Sequence, residues 1–355
     1  MSATMPYPTA RFGLSEAPPA ATDAPALPPG SPVTLAWFGK LPSRGDFVRS
    51  AGQGALTQQL DRWLSQGLEL VAQDPRWKQR YDQVSACPFA FLAVRGGMAL
   101  AGHFTPSTDA SGRRFPFVAT GAFEVAAPLR LMAQSPLALA GLWTWLATFG
   151  REACAAEDAA ATLARADDAR LEIVADTRGH ATALEAFLDL HTVGSLEAGL
   201  RESHPQLDLR RTLLALGLLL QPVPASGVSR LDTGLALPLP DDPTLSPLVA
   251  TLWMSLISAF IARGDFELAL FVVPRGAAGG PTLCLGFAGG SPATLHAVFD
   301  TEQRATHFVD VLASDWVDDH ADGDYAMKKL GSYLRQPQLS MRQAVGTFRE
   351  CFLGE

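Results

Sequence analysis

The sequence predicts an α/β protein with a core of several strands, and three observations support that class. Short apolar runs typical of buried strands occur in both halves of the chain, at 88–94 and 266–273. Each run is followed by a glycine-containing turn and a second predicted strand, at 98–104 and 282–288. Helical patterns lie between the strand pairs, so helices and strands recur along the whole chain.

The first 32 residues are predicted to form a disordered arm ahead of these elements. Eight prolines and many Ala, Ser and Thr residues lie in residues 1–32, and proline removes backbone donors and blocks helix formation. The arm has no apolar stretch of the kind that forms the centre of a signal peptide. We therefore expect a cytoplasmic protein whose ordered part begins near residue 33.

A strand, a turn and an amphipathic helix are predicted next. Residues 33–38 form the strand, which ends at Gly39, and turn-forming residues follow at 42–45. From Ala55 to Val71, apolar residues recur at i, i+4, i+7 and i+8, the spacing of a helix packed along one face.

Three further strands and a helical segment follow this helix. The strands are predicted at 88–94, 98–104 and 115–125, and a helical pattern rich in Ala, Leu and Trp covers 136–170. We therefore expect residues 33–150 to form a sheet with helices on both faces. The side chains expected to be buried in it are Phe89, Phe91 and Val94.

The second half of the chain has weaker patterns. Residues 171–211 favour a mixed, mostly helical connector, and 222–247 favour a loop because they are rich in Pro, Gly, Ser and Asp. The apolar segment 248–262 has fifteen residues, fewer than the roughly 20 that span a bilayer, so it predicts a buried core helix. The later elements are predicted as strands at 266–273 and 282–288 and helices at 292–299 and 325–352.

The length and composition favour two domains and a partner that is neither nucleic acid nor membrane. A chain of 355 residues with 48% hydrophobic residues can build a sizeable core. We divide it into the arm at 1–32, an α/β domain at 33–170, and a second, smaller α/β region of unassigned role at 171–355. The formal charge of −8 argues against binding to phosphate backbones or an anionic membrane.

The four cysteines are far apart in the sequence. Zinc sites and disulfide-rich domains show closely spaced cysteines, and neither pattern occurs here. The cysteines are therefore predicted to be reduced core residues of a cytosolic protein: Cys87, Cys154, Cys284 and Cys351.

Two segments are unusually dense in glycine, proline, aromatic and charged residues. They are WFGKLPSRGDFV at 37–48 and FTPSTDASGRRFPF at 104–117. Gly39 and Gly45 permit positive φ or tight backbone paths, and Pro42 fixes φ between them. A rigid loop of this kind would present a docking surface, because arginine and aromatic residues dominate interface hot spots.

The residues of these segments fall into two predicted sets. The candidates for contact with a partner are Lys40, Arg44, Asp46, Phe47, Ser107, Asp109 and Arg113. The residues expected to shape the fold are Trp37, Gly39, Pro42, Gly45, Trp63, Gly112, Phe115 and Pro116. Asp46 can accept from nearby backbone donors, and Arg44 or Arg113 can bind a carboxylate through two parallel hydrogen bonds. The alternative is that both segments are purely architectural.

These segments resemble the two signatures of the TagF amino-terminal domain. WFGKLPSRGDFV, followed by a helix that contains Trp63 and Leu64, resembles the opening signature. The loop PSTDASGRRFP at 106–116 resembles the second signature. Order and spacing agree over about residues 33–150, and the remainder of the chain resembles the family only loosely.

The resemblance implies a layered α/β/α sandwich and a cytoplasmic accessory protein of a bacterial type VI secretion system. It also implies post-translational repression of secretion through binding of the system's forkhead-associated-domain protein. Some family members are fused to a metal-dependent phosphatase, and this sequence lacks the Asp-Gly-rich signature of that fusion.

The alternative function is a metal-assisted phosphatase or hydrolase that uses the acidic cluster Asp315–Asp324. If Asp318 is taken as position 1 of a calcium-binding loop, position 12 is Lys329. A calcium-binding loop needs a bidentate Glu at that position. No HExxH motif or GxSxG nucleophile elbow occurs in the sequence. We therefore expect a solvated turn, no catalytic residue, and no bound metal or cofactor. Convergence of three or more of the carboxylates on one point would favour the enzyme.

Overall fold

The computed structural model describes residues 30–173, 177–228, 231–276, 279–321 and 325–355. The strands in these residues are β1 Ser31–Gly39, β2 Val48–Arg49, β3 Cys87–Ala93, β4 Met98–Thr105, β5 Phe117–Glu124, β6 Leu171–Ile173, β7 Gly234–Pro238, β8 Glu267–Val273, β9 Thr282–Gly286 and β10 Phe308–Asp310. The helices in the first part of the chain are α1 Gly54–Val71, α2 Trp77–Gln83, α3 Pro128–Ala138, α4 Ala140–Ala155, α5 Ala160–Asp168, α6 Thr177–Leu190, α7 Val193–Arg201 and α8 Leu209–Leu220. The later helices are α9 Pro222–Ser226, α10 Leu245–Ile261, α11 Pro292–Phe299, α12 Arg304–His307, α13 Val317–Ala321, α14 Tyr325–Leu334 and α15 Met341–Leu353.

The ten described strands form one mixed sheet that crosses both parts of the chain. Their order is β10-β7-β9-β8-β3-β4-β5-β1-β2, and β6 also pairs with β1. Neighbouring strands are antiparallel except β10 and β7, which are parallel. Strand β8 lies beside β3, with Phe89 opposite Phe271, so the second half of the chain extends the sheet begun by the first.

Helices cover the two faces of this sheet, and the predicted α/β class is confirmed. On one face, Trp63 of α1 packs against Phe89, Phe91 and Phe271, with the side chains of α11 in the same cluster. On the other face lie α3, α4 and α10, where the Trp143 indole Nε1 donates to the carbonyl oxygen of Phe89 at 2.9 Å. The predicted burial of Phe89, Phe91 and Val94 is confirmed.

The predicted core helix is α10, whose side chains are mostly buried. It is the most apolar helical segment that the sequence singled out, and neighbouring helices such as α3 pack against it. None of the described helices is both long and apolar enough to cross a membrane.

Two predicted boundaries need correction. The predicted loop at 222–247 contains α9 and strand β7, because the apolar residues Leu235 to Leu237 pair with β9 in the sheet interior. The predicted arm at 1–32 ends earlier than expected, since Ser31 and Pro32 already belong to β1 and pair with β6. The rest of the arm, residues 1–29, lies outside the described residues.

The division of the chain near residue 170 stays a prediction. The described sheet continues from β3 into β8 across that division, and β6, at the division itself, pairs back onto β1. All four cysteines lie among the described residues; Cys87 and Cys284 are buried, and Cys154 and Cys351 are half-buried.

Candidate functional site

The two signature segments lie side by side where β1 and β4 end and β5 begins. We call residues 40–47 the first loop and residues 106–116 the second loop. The backbone N–H of Ala110 donates to the carbonyl oxygen of Arg44 at 2.8 Å. The Arg113 Nη2 donates to the carbonyl oxygen of Gly45 at 2.9 Å. Main-chain and side-chain bonds therefore connect the loops directly.

A buried ion pair holds the loops together. The Lys40 Nζ lies 2.9 Å from the Asp109 Oδ2, and their side chains are only 8% and 0% exposed. Asp109 also accepts from the backbone N–H and Nε of Arg113 and from Ser111. Burial opposes ionisation of Asp109, but the hydrogen bonds from Lys40, Ser111 and Arg113 outweigh it and hold the pKa of this carboxyl well below its usual range.

Glycine is required at two positions of this arrangement. Gly39 has φ of +140°, and a Cβ there would lie 2.1 Å from the carbonyl oxygen of Pro116. Gly112 has φ of +78°, in the turn that follows Asp109. At Gly45 the φ is not positive and no described atom would crowd an added Cβ, so neither of these features requires glycine there. Pro42 lies exposed in the turn of the first loop.

An aromatic cluster supports the exposed part of the first loop. The ring of Phe47 stacks on Phe38 with centroids 5.3 Å apart and meets the edge of Phe115 at 4.9 Å. The Lys40 Nζ lies 5.1 Å from the centre of the Phe47 ring. Although these contacts hold the ring, 39% of Phe47 remains exposed. The result is an aromatic side chain that is fixed in place and accessible.

The remaining residues expected to shape the fold lie in the interior. Trp37 is buried on the α4 face of the sheet and Trp63 on the α1 face. Phe115 and Pro116 are buried beside β1. These positions explain the aromatic and proline content of the segments through packing.

Three of the predicted contact residues are not accessible to a partner. Lys40, Ser107 and Asp109 are buried, so a direct docking role does not fit them. Lys40 and Asp109 form the ion pair, and the backbone N–H and carbonyl of Ser107 both bond to the Tyr81 hydroxyl at 3.1 Å. The sequence did not indicate Tyr81, which lies 26 residues from its partner.

The other predicted contact residues form an exposed surface that we call the signature face. It consists of the half-buried Arg44 and the exposed residues Asp46, Phe47 and Arg113. The Arg44 Nη2 lies 2.8 Å from the Asp158 Oδ1, with 42% and 74% of the two side chains exposed. An ion pair this open to solvent contributes about 0–1 kcal/mol, so Arg44 can exchange Asp158 for another carboxylate at little cost.

The acidic cluster is bound to arginines in its described part. The Asp318 Oδ1 lies 2.7 Å from the Arg210 Nη2, and the Asp318 Oδ2 lies 2.6 Å from the Arg211 Nη2. Asp315 pairs with Arg211 as well. Hydrogen bonds from Arg210, against the effect of burial, lower the pKa of Asp318. Asp322 and Asp324 lie outside the described residues.

No metal centre is apparent in the part of the chain that the structure describes. There, no three His, Cys, Asp or Glu side chains come close enough together to hold an ion. Two described carboxylates of the acidic cluster, Asp315 and Asp318, therefore pair with arginines, and the predicted lack of catalysis stays a prediction.

The two connected loops lie within the part of the chain that matches a known domain family. Residues 36–172 match the family described as TagF N-terminal domain, type VI secretion system-associated. These residues therefore resemble the TagF N-terminal domain, as the two signatures predicted.

Two further comparisons complete this result. No curated protein matches the sequence. The chain also resembles the crystal structure of PA0076 from Pseudomonas aeruginosa PAO1, with a TM-score of 0.41 and 14% identity over 76% of this chain and 94% of that one.

Proposed function

We propose that this protein is a cytoplasmic accessory protein of a type VI secretion system that represses secretion post-translationally by binding another protein of the system. The match of residues 36–172 to a domain associated with that system supports the biological setting. The proposed partner is the system's forkhead-associated-domain protein, as the family resemblance implies.

The signature face is the observation that carries the binding proposal. Phe47 is exposed yet held by two aromatic rings, with the arginines Arg44 and Arg113 on the same pair of loops. Aromatic and arginine side chains dominate the binding energy of protein interfaces. Because the buried Lys40–Asp109 pair already orders the loops, little further ordering is needed when a partner binds.

Substitution of Arg44 by Glu tests this proposal. We expect Arg44→Glu to weaken binding of the forkhead-associated-domain protein at least about tenfold, or about 1.4 kcal/mol. The change removes a donor and places a negative charge beside the partner's carboxylates. Its melting temperature should stay close to that of the wild type, because the Arg44–Asp158 pair is exposed.

Arg335→Glu is the matched control. Arg335 is exposed after α14 and makes no ion pair with the described residues, so the same charge change should leave binding intact. Binding is measured by titration calorimetry and repression by the amount of effector secreted from cells that carry each variant. If Arg44→Glu binds and represses like Arg335→Glu, the signature face is not the docking surface.

A further inference from the structure

A groove runs along α4 beside the end of β4, next to the second loop. Its volume is about 640 Å³. The floor is made of small side chains, including Ala86 and Ala147. The polar residues that line it are His103, Thr105, Thr144, Thr148, Arg151 and Cys154. No segment of the chain that the structure describes fills it.

His103 is a largely buried polar residue that lines this groove. It is 8% exposed, and its Nδ1 lies 3.4 Å from the Thr105 Oγ1. No donor or acceptor among the described residues reaches its Nε2. Burial lowers the pKa of His103 to about 4, so the ring is neutral at pH 7 and its Nε2 is available for one hydrogen bond. The Nε2 is therefore a polar atom of the groove to which an occupant can bond.

Arg151 supplies a charge at the same groove. It is exposed, and no carboxylate of the described residues pairs with it. Arg151 therefore places an unpaired positive charge beside a largely apolar groove, on a chain whose net charge is −8. This arrangement suits an occupant that carries a carboxylate next to an apolar group.

The groove is continuous with the signature face. The Cys154 Sγ lies 3.7 Å from the Ser107 Oγ of the second loop. Four residues further along the chain, Asp158 pairs with Arg44 of the first loop. A protein that covers the signature face would therefore reach the end of α4 and the groove beside it.

We propose that the groove receives an acidic, partly apolar segment of the same protein that binds the signature face. A carboxylate of that segment pairs with Arg151, an apolar side chain lies over the small residues of the floor, and a polar group bonds to the His103 Nε2. This inference rests on the proposed function, because it assigns a second contact to the same partner.

Two substitutions in the groove test this inference. Thr148→Trp fills the groove from a half-buried position, and Arg151→Glu reverses its charge at an exposed one. Each should weaken binding of the forkhead-associated-domain protein to the full chain at least about tenfold. Arg335→Glu again serves as the control, and thermal unfolding shows whether each variant remains folded. Because Arg151 is exposed and unpaired, Arg151→Glu keeps the test decisive even if the larger Trp disturbs α4.

The outcomes distinguish binding at the groove from binding at the signature face. If Arg44→Glu weakens binding while Thr148→Trp and Arg151→Glu bind like the wild type, the groove inference is overturned and the proposed function survives. If none of the three weakens binding, the proposed function fails as well.

A photo-crosslinking amino acid in place of Thr148 identifies the occupant. We expect it to capture a segment of the partner that contains Asp or Glu beside apolar residues. Capture of a basic segment, or no capture from a complex that has formed, would contradict the inference.

Discussion

At the scale of single residues, the main result is that some charged side chains of the first and second loops are buried. Lys40 and Asp109 look like surface residues in the sequence, yet they form a buried pair. The partners are 69 residues apart, so no local pattern shows that they meet. Glycine and proline content predicted that the two segments are ordered loops, but only the tertiary pairing shows which charges are exposed.

Replacement of Lys40 should destabilise the protein strongly. Lys40→Met leaves the buried Asp109 without its cation, and loss of one partner of a buried pair typically costs about 3–5 kcal/mol. The matched change Arg113→Met removes a side chain that is 64% exposed and leaves Lys40 beside Asp109, so a smaller loss is expected. Urea denaturation measures both. A loss of less than about 1 kcal/mol for Lys40→Met would show that the pair does not stabilise the loops.

His103 should make stability depend on pH between about 6.5 and 4. Burial lowers the pKa of His103 from 6.5 to about 4 in the folded protein, so the unfolded chain binds the extra proton in this range. The free energy of unfolding therefore falls as the pH is lowered through it, by up to about 3 kcal/mol. His103→Gln should remove this part of the dependence. Denaturation at pH 7, 5.5 and 4 measures the difference, and equal pH profiles for the two proteins would contradict it.

At the scale of elements, the two glycines of the first segment have different roles. Gly39→Ala should destabilise by about 3 kcal/mol or more, because φ of +140° strains any other residue and the added Cβ meets the Pro116 carbonyl. Gly45→Ala, with open space around it, should change stability by less than about 1 kcal/mol. Chemical denaturation of the pair measures the contrast. Similar losses for both would mean that the backbone at Gly39 relaxes.

The sequence predicted most elements whose signal is local. Strands β3 and β4 were located to within one residue, because their apolar runs end at turns. Strand β7 was assigned to a loop, since its five residues lie within a segment rich in proline and aspartate. Its extended structure depends on β9 and β10 on either side, which local composition does not reveal.

At the scale of the whole molecule, the shared sheet connects the family domain to the rest of the chain. Strand β3 is central and apolar, with β4 on one side and β8 of the second half on the other. We therefore expect the full chain to unfold in one cooperative calorimetric transition, because separation of the two parts would break the middle of the sheet.

A fragment of residues 30–172 should fail to form a stable monomer. Without β8, the unpaired edge of β3 would expose a row of backbone donors and acceptors between apolar side chains, which favours aggregation. The cut would also fall inside β6, which pairs with β1. Size-exclusion chromatography and circular dichroism check this, with the full chain as the control. A monomeric fragment that melts cooperatively would show that the domain folds without the second half of the chain.

The β3–β8 pairing also limits which sequences can be joined to such a domain in a stable protein. A gene segment that encodes only the family domain carries a sheet that lacks one neighbour. When evolution or a designer joins it to a new sequence, that sequence must donate a strand beside β3 or cover this edge in another way. We therefore expect the second halves of stable fusions to differ in sequence, while each of them pairs with or covers the open edge of β3.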